Sequence, residues 1–147
     1  MTKPFALQTV LDLMQNRADE ATRKLARLIS AEQDAKGKLD LLSQYREDYG
    51  RRFQVSAQQG MSPLQWKNFQ DFLDRLDDAI AQQQLVVTNS QSNTAAGQTH
   101  WQEQRTRLKA MDTLSVRHRS AELSLELRRE QKLTDEIAAR KKQEGDN

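Results

Sequence analysis

Two histidines, His100 and His118, and four closely spaced acids, Asp71, Asp74, Asp77 and Asp78, are the residues whose types could ligate a metal or move a proton. Their spacing works against both. The histidines are too far apart on one helix to share an ion. Adjacent carboxylates such as Asp77 and Asp78 diverge by ~100° on a helix, so they do not converge on a common point. The chain has no cysteine, hence no thiolate metal site and no disulfide framework. No glycine-rich phosphate loop is present. Catalysis needs a concave site that excludes water, and a pair of helices offers no such cleft. We therefore expect no catalytic residue, no cofactor-binding residue, no metal site and no enzyme activity.

The elements that carry these residues follow from composition and periodicity. Hydrophobic residues make up 36% and charged residues 30% of 147 residues, with only five glycines and two prolines. That balance suits long helices sharing a narrow apolar seam, which needs two apolar positions in about seven. No apolar run approaches the roughly 20 residues that span a bilayer. A secretory leader pattern is absent at the N-terminus, and direct membrane insertion is not expected. Bases and acids are interspersed around a net charge of +2. A nucleic-acid surface needs charge of one sign, so no nucleic-acid partner is expected despite a pI near 9.0.

Alternating steps of three and four from Leu7 reach Phe53 through fourteen positions, of which twelve are apolar or aromatic. The exceptions are Glu32 and Arg46. A mean step of about 3.5 is the repeat of a left-handed coiled coil. Gly60 then permits a reversal, Ser62 can cap a helix, and Pro63 suits a first helical position. The pattern predicts one helix over about 5–57, a turn over about 58–62, and a second helix over about 63–142. The repeat resumes at Trp66 and continues through Phe69, Leu73, Leu76, Ile80, Gln83 and Val87 to Met111. A short connection makes the helices antiparallel. The expected fold class is all-α, an antiparallel coiled-coil hairpin forming a single domain over residues 1–147.

Folding about Gly60 pairs residues whose numbers total about 119. Phe53 then faces Trp66, Leu39 faces Ile80, Leu25 and Leu28 face Thr94 and Ser90, Gly97 faces Ala21, and Trp101 faces Ala18. The stretch 88–97 has poor helix propensity, and a break there is the alternative to a continuous helix. Residues 115–142 are expected to overhang with nothing opposite. This overhang keeps Val116, Leu123, Leu127 and Ile137 at roughly helical spacing among mixed charges that include Arg128 and Arg129. These six are the candidate contacts for a partner; the bland reading is a solvated helix laced by ion pairs.

The segments "LDLLSQYREDYGRRF" and "WKNFQDFLDRLDDAI", joined through Gly60 and followed by a tryptophan near residue 100, resemble the FliJ family of the bacterial flagellar type III export apparatus. Tyr45, Tyr49, Gly60, Trp66, Phe69 and Phe72 carry the most specific part of the likeness. The resemblance implies a hairpin similar to the γ stalk of the rotary ATP synthase. It implies a cytoplasmic protein, peripheral at the inner membrane, whose partners are the hexameric flagellar export ATPase, the cytoplasmic domain of the export gate protein, and flagellar export chaperones. It places gate binding at Phe72, Leu76, Ala79 and Gln83, and ATPase or chaperone binding toward the overhang. Without the resemblance, the residues alone fit a generic coiled-coil spacer or chaperone hairpin.

Overall fold

A computed structural model describes residues 3–145. It contains two helices, α1 (Gln8–Gln59) and α2 (Pro63–Gly145), packed against each other as an antiparallel hairpin, with no strand among the described residues. The turn between them uses the residues that the sequence marks. Gly60 takes φ 98°, a left-handed conformation open to glycine at little cost. Ser62 Oγ accepts from the Gln65 N–H at 3.2 Å, and Gln65 Oε1 accepts from the Ser62 N–H at 3.1 Å. This reciprocal capping box satisfies backbone donors on both sides of Pro63. The Gln65 half was legible as Ser-x-x-Gln but is absent from a reading that stops at Ser62-Pro63.

α2 is unbroken through 88–97. Threonine there bonds its own helix: the hydroxyls of Thr88, Thr94 and Thr99 donate to the carbonyls of Gln84, Ser90 and Ala95 at 3.0–3.2 Å. This satisfies the side chains without diverting the backbone ladder.

Packing divides the chain into two compact units, Ala21–Trp101 and the pairing of Met1–Glu20 with Gln102–Asn147. In Ala21–Trp101 the buried side chains include Ala21, Ala35, Leu73, Leu76, Gln83 and Val87, all on the expected seam. In the other unit Ala18, Gln104 and Ser115 are buried. Ser115 extends the α2 series one step past Met111.

The register differs from the expectation over Thr94, Gly97 and Trp101. A Cβ on Gly97 would lie 2.6 Å from Leu28 Cδ1 and 3.7 Å from Leu25 Cδ1, so these leucines, rather than Ala21, occupy the space beside it. The Thr94 hydroxyl shares its one proton between the Ser90 carbonyl at 3.0 Å and the Leu28 carbonyl at 3.3 Å, and Trp101 Nε1–H donates to Thr22 at 3.0 Å. Large side chains still meet small ones, but about one turn further along α1. Gly97→Ala should be nearly neutral, because the methyl displaces only a leucine tip while helix propensity rises by up to ~1 kcal/mol. Gly97→Leu should cost ~1–3 kcal/mol through overpacking, read from urea midpoints.

Candidate functional site

Among the described residues, no group of three or more His, Asp or Glu could hold a metal ion. Asp77 accepts from Arg46 Nε at 2.9 Å across the helix pair. That hydrogen bond is the main cause that raises the Arg46 guanidinium above its ordinary value, against a smaller opposing effect of desolvation. Both partners remain substantially exposed, so the pair contributes at most ~1 kcal/mol. His118 is half-buried, with Nε2 3.0 Å from the Lys3 carbonyl and its ring 5.5 Å from that of Phe5. His100 is exposed.

Near the turn the aromatics form one cluster. Phe53 meets Trp66 at 4.8 Å and Phe69 at 5.5 Å, while Tyr49 meets Phe69 at 5.1 Å and Phe72 at 4.4 Å. Tilted pairs at these distances are favourable beyond their buried area. The four residues expected at the gate surface fall into two groups. Phe72 and Ala79 are half-buried at the margin of the helix pair. Leu76 and Gln83 are turned into it, and the Gln83 amide donates to the Ala35 carbonyl at 3.0 Å. A polar residue on an otherwise apolar seam was the signal for that inward bond. Phe72 therefore both packs on Tyr49 and keeps an accessible edge.

The C-terminal candidates lie in the unit formed by the chain ends. Val116, Leu123, Leu127, Arg128, Arg129 and Ile137 are all exposed, and Leu133 joins Ile137 one turn away. The start of the expected overhang needs correction. Residues from 115 have a mate, because the N-terminal segment reaches them. The Lys3 N–H donates to Glu122 at 3.4 Å, and Phe5 and the Lys3 carbonyl meet His118. A groove of about 570 Å³ lies between these strands of chain, lined by residues that include Phe5, Leu11, Ser115 and Leu123. Pro4 keeps the preceding residue out of helical conformation, and residues 3–7 form a non-helical segment that turns at 6–7 into α1. The stretch in which every described residue is exposed begins at Leu127 and continues to Gly145.

Comparison with known proteins gives these surfaces a context. The family model described as "Flagellar FliJ protein" matches residues 2–145. The flagellar FliJ protein of Salmonella typhi is 32% identical over 140 residues, 95% of each chain. That of Escherichia coli (strain K12) is 30% identical over 140 residues, again 95% of each chain. With a match of this extent, the chain belongs to the flagellar FliJ family.

Proposed function

We propose that this member of a flagellar export family is a non-enzymatic coiled-coil stalk. It promotes assembly of the export ATPase hexamer, couples that ATPase to the cytoplasmic domain of the membrane export gate, and handles export chaperones. Its site of action is the cytoplasm, at the periphery of the inner membrane. The observation that supports this reading is the exposed run Leu127–Gly145, a helix that carries Leu127, Leu133 and Ile137 with no cover among the described residues. Mixed charge beside thin apolar contact suits a stalk that meets several similar subunits, because tight seating on one would oppose movement to the next. The accessible edge of Phe72 supports a second contact, with the gate, in the other unit.

The test is co-purification with an export ATPase and a gate cytoplasmic domain from one bacterium, combined with an ATPase assay. Phe72→Ala should weaken gate binding about tenfold, the scale of a lost aromatic anchor, with ATPase stimulation largely unchanged. A thermal melt separates this from loss of the Tyr49 contact. A folded wild-type chain that neither bound the gate nor stimulated the ATPase would leave the generic spacer as the better description.

A further inference from the structure

The turn end of Ala21–Trp101 has a charge pattern unlike the rest of the chain. From Tyr49 to Gln70 there is no acid, while Arg51, Arg52 and Lys67 are all basic. Arg51 is engaged by Glu47 at 3.7 Å and Asp48 at 3.2 Å. Arg52 and Lys67 are exposed and form no ion pair among the described residues. Near them along the chain are large apolar side chains that the helix pair leaves uncovered. Val55 is 53%, Leu64 69% and Trp66 50% exposed. Trp66 meets Phe53 in a tilted pair and is still half exposed.

These residues lie within about 10 Å of the turn along the helix axes, at ~1.5 Å per residue. The end of a two-helix hairpin, with its apolar side chains standing out rather than paired, suits a soft interface that conforms around it. A half-exposed tryptophan with leucine and valine, accompanied by two long cations, is the composition found at the boundary between headgroups and acyl chains. Interfacial segments bury their apolar face by ~5–10 Å there, which matches the axial spread of Val55, Leu64 and Trp66. The missing acids remove the repulsion that an anionic leaflet would otherwise exert.

We propose that this turn end seats on an anionic lipid bilayer, with Leu64, Trp66 and Val55 in the interface and Arg52 and Lys67 on headgroup phosphates. The contact is peripheral, since no described helix is long and apolar enough to cross a membrane. It is separate from the stripe at Phe72 and does not depend on what that stripe binds.

Sedimentation of the full chain with vesicles tests this, using phosphatidylcholine alone and phosphatidylcholine mixed with phosphatidylglycerol. Binding is expected to the anionic vesicles, to weaken with salt, and to fall on the order of tenfold or more in Arg52→Glu/Lys67→Glu. Leu64→Ser/Trp66→Ser should lose binding with unchanged circular dichroism. Brominated lipid should quench the wild-type tryptophan emission but not that of Trp66→Phe, whose remaining tryptophan is Trp101. Phe72→Ala should bind vesicles like the wild type. Failure to bind anionic vesicles, or binding that the paired variants leave intact, overturns the proposal. So does a result in which those variants lose an acidic protein partner while vesicles are ignored, because the end is then a protein-docking surface.

Discussion

Val87→Asp should abolish stable pairing of the helices in Ala21–Trp101, whereas Leu85→Asp, two residues away with the same charge change, should be almost silent. Val87 is 8% exposed and Leu85 is 66% exposed. A carboxylate at position 87 loses its water and gains no cation from its own helix, because α2 has no Lys or Arg between Arg75 and Arg105. Leaving a charge buried and unpaired costs ~3–5 kcal/mol. That removes much of a total stability that is typically only ~5–15 kcal/mol. At position 85 the carboxylate stays hydrated, and the change should stay within about 0.5 kcal/mol. Thermal melts followed by far-ultraviolet circular dichroism distinguish the two. Equal melting temperatures in both variants would show that Val87 does not face the partner helix.

The largest functional effect is expected from ending the chain at Glu126. The cut preserves the N-terminal contacts to His118 and Glu122, and every described residue that it removes is exposed. The remaining helix pair should therefore melt as before. Three apolar side chains, Leu127, Leu133 and Ile137, leave with the segment, together with Arg128 and Arg129. If these are the anchors of the ATPase or chaperone contact, affinity should fall on the order of tenfold or more. Stimulation of the export ATPase and capture of an export chaperone are the two readouts. Full retention of both would make the segment a passive tail. Cutting at residue 115 is a poorer experiment, because it also strips the surface that Lys3 and Phe5 cover.

The parts of the molecule that repeat were legible in the sequence. The step of three and four located the buried residues, and Gly60, Ser62 and Pro63 located the turn, because each states a local backbone requirement. Phe53 against Trp66 was also legible, since pairs beside a short turn have little room to slide. Further away the register was not. A seam that repeats every seven residues looks much the same after a one-turn shift, so apolar spacing cannot choose among neighbouring alignments. Polar anchors make that choice here: Arg46 with Asp77, Gln83 with the Ala35 carbonyl, Thr94 with the Leu28 carbonyl, and Trp101 with Thr22. Periodicity also missed the N-terminal segment over residues 115–122, because a piece of chain outside any helix has no period to read. For the candidate partner surfaces, the exposure of the C-terminal residues followed from their lack of an apolar mate. The inward turn of Leu76 and Gln83 required the packed pair.

Those same anchors imply an order of assembly. The chain separation that each must close grows from 31 residues for Arg46 with Asp77 to 48 for Gln83 with Ala35, 79 for Trp101 with Thr22, and 119 for Lys3 with Glu122. Closing the longest in one step costs only ~1.2 kcal/mol more entropy than closing the shortest. Most of the search is thus met by the first loop, and the capping box at Ser62 has already fixed its bend. Once Phe53 and Trp66 meet, each later anchor closes a loop already shortened by the one before it. A hairpin with one tight turn therefore zips from that turn outward, and on a ribosome the closing sequence begins only when the first turns of α2 have been made.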